Sequence, residues 1–440
     1  MINNLRRFSL SRNNFIGSIP SSLGNLSSLY YLQLGGNHLD GIIPNALGRL
    51  SNMEILVIND NNLSGAIPSS IYNLSSMTYL HMVGNQLSGS LAPEFGFAFP
   101  KLEILYIGMN QFTGAIPRSV TNISSLNHFD ISLNSFIGQI PDNMGNLKNL
   151  ELISTSSNLL GSGKAGDLDF LSSLTNSSLI LLTVDENRLG GVLPESIANL
   201  STQLELLELG GNRISGRIPQ GIGNLVKLSS FGMGGNLLTG NVPGSIGNLK
   251  NLQRFNLSIN GLSGKVPSSI GNLSLLSELY LNDNQFEGRI PGSLSICKNM
   301  LKLDLSQNKL NGSVPDELIA AFERLITLNL SYNSFTGQFP SDIGRLKNLE
   351  KLYEGNRRGN ALSTKVIVIM SLSISMASIL LLLLAFIYWR REHSRKEMIP
   401  APLPVGIACS EEVPVERMKI GDAITELHTI KAKLARKLIH

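Results

Sequence analysis

The chain has 440 residues, with 36 lysines and arginines against 32 aspartates and glutamates, so its formal net charge at pH 7 is +4. A charge this nearly balanced gives no basic footprint for a polyanion, and we exclude nucleic acid as a partner. Cys297 and Cys409 are the only cysteines in the sequence and flank the hydrophobic segment described below. We therefore expect no disulfide between them and interpret Cys297 as a small buried apolar residue.

A short phrase recurs through most of the chain, and residues 279–291 show it as LYLNDNQFEGRIP. Its template is L-x-L-x-x-N-x-(L/F)-x-G-x-(I/V)-P. A fixed period of this length indicates a solenoid, in which each unit buries its apolar side by stacking on its neighbours. The L-x-L part alternates with period two, so we predict short strands that have leucine inward and pair in parallel on the concave face of a curved stack.

The template asparagine occurs fourteen times, mostly at intervals of 24 residues. Because its amide can both donate and accept hydrogen bonds, we predict that it binds buried turn backbone and that stacked copies form an internal ladder. The following glycine permits a backbone conformation closed to other residues, and the proline fits a lateral position because it donates no hydrogen bond. The predicted ladder is Asn13, Asn37, Asn61, Asn85, Asn110, Asn134, Asn158, Asn187, Asn212, Asn236, Asn260, Asn284, Asn308 and Asn333.

Side chains that flank the strand leucines in the early repeats form an amphipathic stripe rich in aromatic residues. Exposed apolar patches often mark partner sites, and tyrosine is favoured in binding hot spots, so we predict a ligand-binding surface on the concave face. The alternative is that these are ordinary scattered surface aromatics. The candidate ligand-binding residues are Tyr31, Ile55, Val57, Tyr79, His81, Ile104, Tyr106 and His128.

The interval between Asn158 and Asn187 is longer than the others and contains GSGKAG at residues 161–166. This glycine motif does not open a helix of a βαβ unit, so we do not interpret it as a phosphate site. We predict a loop there, followed by a short helix within residues 167–174 on the convex side. The sequence identifies no catalytic residue, no metal site and no cofactor.

Ten Asn-x-Ser sequons fit a glycosylated body on the extracellular side of a membrane. Asn256 and Asn329 fall at predicted concave strand positions, so glycans there would leave the earlier stripe as the ligand surface. The glycosylation candidates are Asn25, Asn62, Asn73, Asn122, Asn176, Asn199, Asn256, Asn272, Asn311 and Asn329.

Residues 366–389 are 24 consecutive uncharged residues. As a helix they would span about 36 Å, enough to cross a hydrocarbon core of roughly 30 Å. We therefore predict a single-pass protein of the plasma membrane, in contact with the lipid bilayer and with the sequon-bearing repeats outside, although no signal-peptide pattern precedes the first repeat. The predicted organisation is a repeat ectodomain (1–356), a linker (357–365), a transmembrane helix (366–389), a juxtamembrane linker (390–404) and a short helical cytoplasmic tail (405–440).

The L-x-G-x-I-P phrase resembles the plant-type leucine-rich repeat, an α/β solenoid. Residues 167–176 (DLDFLSSLTN) and 190–201 (GGVLPESIANLS) resemble the receptor-like kinases of plant innate immunity, in the subfamily of the rice bacterial-blight resistance receptor. Residues 406–431, which include CSEEVPVER at 409–417, resemble the last two helices of that family's kinase domain. The resemblance implies a defence receptor that binds an extracellular peptide or protein, with a co-receptor kinase as a further partner.

The sequence departs from this family after the hydrophobic segment. No glycine-rich loop, V-A-I-K, H-R-D or D-F-G motif follows residue 389. Without these groups phosphoryl transfer has no machinery, so we expect no kinase activity and interpret residues 405–440 as a remnant of kinase C-terminal helices. Our first interpretation is a membrane-anchored receptor-like protein without catalysis. The alternatives are a non-functional truncated remnant of a receptor kinase gene and a receptor serine/threonine kinase.

Overall fold

The computed structural model describes residues 4–175, 177–338 and 340–353, which all lie within one compact unit, Met1–Asn360. The predicted linkers, transmembrane helix and tail (357–440) and the sequon at Asn176 lie outside these residues. Among the described residues, no helix is both long enough and apolar enough to cross a membrane.

A parallel sheet of 15 strands runs through this unit and takes its strands in chain order, so the predicted parallel stack of repeats is confirmed. The middle residue of a strand points into the core, and Leu32, Leu56 and Leu80 are at most 1% exposed. The strands of this long sheet are β1 (Arg7–Ser9), β3 (Tyr31–Gln33), β5 (Ile55–Val57), β7 (Tyr79–His81), β9 (Ile104–Tyr106), β11 (His128–Asp130), β13 (Leu152–Ser154), β15 (Leu181–Thr183), β17 (Leu206–Glu208), β19 (Ser230–Gly232), β21 (Arg254–Asn256), β23 (Glu278–Tyr280), β25 (Lys302–Asp304), β27 (Thr327–Asn329) and β29 (Lys351–Tyr353).

The L-x-G part of each repeat forms a second strand, which the sequence reading did not predict. These lateral strands make a pair (β2 and β4), a five-stranded sheet (β6 to β14) and a seven-stranded sheet (β16 to β28), and the long interval between repeats separates the last two sheets. Their bounds are β2 (Ile16–Ser18), β4 (His38–Asp40), β6 (Ser64–Gly65), β8 (Gln86–Ser90), β10 (Gln111–Ala115), β12 (Ser135–Gly138), β14 (Leu159–Leu160), β16 (Gly190–Val192), β18 (Arg213–Gly216), β20 (Leu237–Gly240), β22 (Gly261–Lys265), β24 (Gln285–Gly288), β26 (Lys309–Gly312) and β28 (Ser334–Phe335).

A short helix follows most template prolines. The N–H groups in the first turn of a helix have no partner within the helix, so proline, which has no N–H and a suitable φ, fits there. The predicted helix after the long interval is confirmed as α2 (Asp169–Ser173), and α1 (Phe95–Ala98) and α3 (Asp316–Ala321) occupy the same place in their repeats. The 3₁₀-helices are Ser21–Asn25, Asn45–Arg49, Ser69–Asn73, Arg118–Asn122, Met144–Asn146, Glu195–Asn199, Gln220–Asn224, Gly244–Asn248, Ser268–Asn272, Gly292–Ile296 and Ser341–Arg345.

One continuous core lies between the long sheet, the lateral strands and the short helices. Its largest fully buried side chains are phenylalanines, and neighbouring repeats stack Phe112 on Phe136 and Phe231 on Phe255, with ring centroids 6.2 and 5.6 Å apart. Cys297 is a free, fully buried member of this core, and burial raises the pKa of its thiol to about 11, as expected for an apolar role.

Candidate functional site

The outward face of the long sheet, called here the sheet face, carries the residues on either side of each inward leucine. Because the strands pair in register, equivalent positions of successive repeats are direct neighbours. Tyr31, Ile55 and Tyr79 form one such row, and Val57 and His81 belong to the next. The sheet face is therefore a grid of variable side chains on a repeating backbone, which can present a distinct pattern of shape and charge to a partner.

All eight candidate ligand-binding residues lie on this face, on β3 to β11. Tyr79, His81 and Tyr106 form a cluster in which ring centroids are 5.4 to 6.2 Å apart, and Tyr106 also contacts the ring of His128 at 5.8 Å. Such edge-to-face contacts add stability beyond the buried area alone, by about 0.5–1.5 kcal/mol for a pair. The sequence pattern brought these residues together correctly, although it could not show that their rings touch.

The candidate ligand-binding residues are less exposed than isolated surface side chains would be. Val57, Tyr106 and His128 are buried, and the other five candidates are half-buried. The physical reason is lateral packing, since strands lie about 4.8 Å apart and large side chains on adjacent strands must cover one another. On β1 and β3, for example, the Arg7 guanidinium lies 4.5 Å from the centre of the Tyr31 ring.

His128 joins the aromatic cluster to a polar cleft beside the strand starts. Its Nδ1 forms a hydrogen bond with the Tyr106 hydroxyl, and its Nε2 lies 3.8 Å from Glu151 Oε2. The cleft has a volume of about 350 Å³. Its lining residues are Glu103, Ser125, Asn127, Asn149, Glu151 and Ser178.

The later repeats carry a chain of ion pairs that the sequence reading missed. Arg254 bridges Glu208 (Nη1 to Oε1, 3.5 Å) and Glu278 (Nε to Oε2, 3.5 Å), and the Lys302 ammonium lies 2.8 Å from Glu278 Oε1. A signal for part of it exists, because Arg254, Glu278 and Lys302 occupy the same template position in successive repeats and alternate in charge. The sequence gives no such signal for Glu208, because it lies two strands away from Arg254 and at a different template position.

Gly232 explains how Glu208 and Arg254 meet. It lies on β19, between the strands of the two charged residues, and offers no side chain on the sheet face. A Cβ added there would lie 1.7 Å from Glu208 Oε2, so the glutamate side chain occupies the space that the glycine leaves. Ser230, two residues earlier, donates a hydrogen bond to Glu208 Oε1 at 2.7 Å.

The carboxylates on the sheet face differ in the direction in which their pKa values are shifted. Burial raises the pKa of Glu208 although Arg254 and Ser230 lower it, and burial raises the pKa of Asp130 and Asp304 as well. Glu278 differs: burial raises its pKa, but the Lys302 ammonium and the Arg254 guanidinium together hold it below its ordinary value. Two cations therefore fix one anion firmly and leave Glu208 only partly compensated.

The template asparagines bridge consecutive repeats in one recurring pattern. Asn212 is typical: its Oδ1 accepts from the Leu189 N–H at 3.0 Å, and its Nδ2 donates to the carbonyls of Leu209 and Val184 at 3.1 and 3.0 Å. The residue before each such asparagine has a positive φ, as with Asp60 at 50° and Gly36 at 70°. Asn13 is exposed and donates only within its own repeat.

The sequons divide between two surfaces. Asn256 and Asn329 lie on the sheet face and are half-buried, and the Asn329 Nδ2 donates to Asp304 Oδ2 and Ser306 Oγ, at 3.0 Å in both cases. The remaining described sequons are exposed. Five of these end a 3₁₀-helix on the side away from the sheet face, namely Asn25, Asn73, Asn122, Asn199 and Asn272, and the other two are Asn62 and Asn311.

The glycine motif of the insertion loop binds a side chain of the chain itself. Asp167 Oδ2 accepts from the backbone N–H of Ser162, Gly163, Lys164 and Gly190 at 2.8 to 3.2 Å. Burial raises the pKa of Asp167, but these hydrogen bonds outweigh burial and hold it below its ordinary value. The amides that a phosphate would need are occupied by a carboxylate. In the described part of the chain, no three His, Cys, Asp or Glu side chains form a group that could hold a metal ion.

Family comparison identifies the repeat. Sequence models described as leucine-rich repeat match residues 27–87 and five further segments, at 4–26, 203–225, 251–273, 275–297 and 324–346. A putative receptor-like protein kinase of Arabidopsis thaliana is 58% identical over 59 residues, which are 13% of this chain and 6% of that protein. The receptor kinase-like protein Xa21 of Oryza sativa subsp. japonica is 48% identical over 61 residues, or 14% of this chain and 6% of Xa21. The matched segments thus span a small part of these relatives.

Solved structures extend the similarity to 80% of the chain. The ectodomain of the Arabidopsis thaliana receptor kinase GASSHO1/SCHENGEN3, in complex with CASPARIAN STRIP INTEGRITY FACTOR 2, is 33% identical with a TM-score of 0.74, over 80% of this chain and 41% of that one. The Arabidopsis receptor kinase HAESA, in complex with the peptide hormone IDA and the co-receptor SERK1, is 28% identical with a TM-score of 0.52, over 80% of this chain and 74% of that one. The chain therefore contains a solenoid of leucine-rich repeats that is similar to the ligand-binding ectodomains of plant receptor kinases.

Proposed function

We propose that this chain is a receptor-like protein that binds an extracellular peptide or protein on its sheet face. The observation that carries the proposal is the grid of variable side chains on the 15-stranded parallel sheet. An aromatic cluster lies on its early strands and a chain of ion pairs on its later strands, on a backbone that hardly changes from repeat to repeat. Rigid elements of this kind hold contact groups in fixed positions and reduce the ordering cost of binding.

The comparisons support this proposal. The similar ectodomains of GASSHO1/SCHENGEN3 and HAESA were solved with ligands, and HAESA also with a co-receptor. By analogy, we propose a peptide ligand and a co-receptor kinase as partners of this chain, and a role in defence by analogy with the immune-receptor subfamily.

We further propose that residues 366–389 anchor the chain in the plasma membrane with the repeats and their N-glycans outside. The exposed sequons at the ends of the 3₁₀-helices support this topology, because glycans there leave the sheet face open. We also propose that the chain transfers no phosphoryl group itself, since its sequence after residue 389 contains no kinase motif. A signal would then pass through the partner kinase.

Ligand capture followed by resynthesis tests the proposal. The full-length chain in detergent is incubated with peptides from plant extracellular fluid, bound peptides are identified by mass spectrometry, and synthetic copies are titrated by calorimetry. We expect Val57→Arg on the sheet face to raise the Kd of a true ligand at least tenfold, and Val226→Arg on an exposed 3₁₀-side position to leave it unchanged. A ligand that tolerates both substitutions would place binding elsewhere and contradict the proposal.

A further inference from the structure

Three carboxylates lie near one another in the middle repeats, where the Glu208 and Glu186 carboxylates both act electrostatically on Asp185. Thr183 on β15 pairs with Glu208 on β17, and Asp185 lies two residues after Thr183 on the same side of the chain. Glu186 is the next residue. Asp185, Glu186 and Glu208 are called here the carboxylate cluster.

The cations of the ion-pair chain do not neutralise this cluster. Arg254 reaches Glu208 but shares its guanidinium with Glu278. Within the described residues, no Lys, Arg or His nitrogen lies within 4.0 Å of the carboxylates of Asp185 or Glu186. The contacts of these two are hydroxyls: Ser156 donates to Asp185 Oδ1, and Ser157 donates to Glu186 Oε2 at 3.1 Å.

One polar atom of the cluster and one beside it are left without a hydrogen bond. Thr183 Oγ1 and Glu186 Oε1 are both buried and have no partner, and Thr183 as a whole is 0% exposed. A buried polar atom without a partner costs about 1–3 kcal/mol, so such atoms call for an explanation. Thr183 pairs in register with Glu208 and precedes Asp185 by two residues, so its unpaired hydroxyl lies next to the cluster.

The strands that follow the cluster carry glycines at their sheet-face positions. Gly210, Gly232 and Gly234 are successive sheet-face positions of β17 and β19 and the turns after them, and they carry no side chain. Glu208 lies over Gly232, where any Cβ would collide with it. The space over Gly232 is thus filled by the flexible end of the Glu208 side chain and not by backbone.

The raised pKa of Asp185 is consistent with a lack of positive charge near its carboxylate. Burial raises its pKa to about 7, the Ser156 hydroxyl lowers it, and the Glu208 and Glu186 carboxylates raise it again. A cation beside Asp185 would oppose the effect of burial and of the two neighbouring carboxylates.

We propose that the carboxylate cluster binds a cationic side chain of the ligand, a guanidinium or an ammonium group. This inference rests on the proposed function and names the chemistry of its ligand. A guanidinium suits this set of acceptors, because it has five N–H donors in a planar fork and the cluster offers carboxylate and hydroxyl oxygens. Charge-assisted hydrogen bonds of this type are about twice as strong as neutral ones.

A pair of isosteric peptides tests the inference on the full-length chain. Acetyl-triarginine amide carries guanidinium groups, and acetyl-tricitrulline amide has the same shape with neutral ureas. We expect the arginine peptide to bind about tenfold more tightly than the citrulline peptide at pH 8 and low salt, when Asp185 is ionised. We expect Asp185→Asn, which keeps the side-chain shape, to remove most of this difference, and Glu208→Gln to do the same.

Glu195→Gln is the matched control, because Glu195 is an exposed carboxylate at the start of a 3₁₀-helix on the other side of the same region. Equal binding of the two peptides, or the same loss with Glu195→Gln as with Asp185→Asn, would overturn the inference. Thermal unfolding of each variant separates loss of binding from loss of fold. If a captured ligand is still weakened by Val57→Arg while the arginine peptide does not bind, the carboxylate inference fails and the proposed function stands.

Discussion

Asp167 is a single side chain on which the conformation of a whole loop depends. Four backbone N–H groups point at its Oδ2, and the Ser162 hydroxyl donates to Oδ1 at 3.1 Å. One of the four, from Gly190, belongs to the first lateral strand after the insertion. The carboxylate therefore closes the loop onto the next repeat, and a loss of its charge should weaken both.

Asp167→Ala should lower the free energy of unfolding by about 1–3 kcal/mol at pH 7, because four donors lose their acceptor. Asp167→Asn should cost less at pH 7, since an amide oxygen can still accept. The native pKa of Asp167 lies below its ordinary value, so the stability that its ionised form contributes is present above about pH 4 and is lost as the pH falls through the native pKa. The gap between wild type and Asp167→Asn in urea unfolding should therefore close in acid.

Asp169→Asn is the control for this prediction, because Asp169 is exposed in α2 only two residues away. Its unfolding midpoint should follow that of the wild type at every pH. A gap between wild type and Asp167→Asn that widens in acid would show that the loop is held by something other than the ionised carboxylate.

Single residues also show where sequence reasoning reaches its limit. The row of Tyr31, Ile55 and Tyr79 follows from the period, because equivalent positions in neighbouring repeats must be neighbours in space. The contact between Glu208 and Arg254 does not, since it spans a strand and depends on the absence of a side chain at Gly232. The occupant of the glycine-rich loop, Asp167, depends on the path of the chain in three dimensions, which no local pattern encodes.

The asparagine ladder acts at the scale of the repeat. Each interior copy ties its own turn to the preceding repeat, and it follows a residue held at positive φ, a conformation that costs a non-glycine residue of the order of 1 kcal/mol. Ser157 before Asn158 and Glu186 before Asn187 are such residues, with φ of 54° and 53°. The amide bonds of the ladder offset this strain, so strand, turn and lateral strand form as one unit.

Asn212→Ala should therefore destabilise the solenoid far more than Asn13→Ala. In the first variant the Leu189 N–H and the Val184 and Leu209 carbonyls lose a buried partner, at a cost of about 2–4 kcal/mol. In the second, only exposed bonds within the first repeat are lost, and the change should stay below about 1 kcal/mol. The urea midpoint by circular dichroism is the measurement. Equal midpoint shifts for the two variants would mean that the ladder does not couple repeats.

At the scale of the whole molecule, two sides of the described solenoid carry different kinds of residue. The sheet face carries the aromatic cluster, the ion-pair chain and the carboxylate cluster, whereas most exposed sequons lie away from it at the ends of 3₁₀-helices. Glycans at these sites would leave the sheet face uncovered. Anchoring in a membrane is our proposal for residues 366–389, which lie outside the described solenoid.

If residues 366–389 anchor the chain in a membrane, charged residues placed among them should abolish its membrane association. In plant cells, the full-length chain should stay in the membrane fraction after an alkaline carbonate wash. Leu381→Arg together with Leu383→Arg should release it or block its insertion, because each arginine near the centre of a membrane helix costs about 2.5–3.5 kcal/mol on the insertion scale. Leu237→Arg, at a position that is 60% exposed on a lateral strand, is the matched control and should change nothing. N-glycans on the membrane-bound form would place the repeats outside, because glycosylation occurs on that side, and a wild-type chain released by the wash would rule the anchor out.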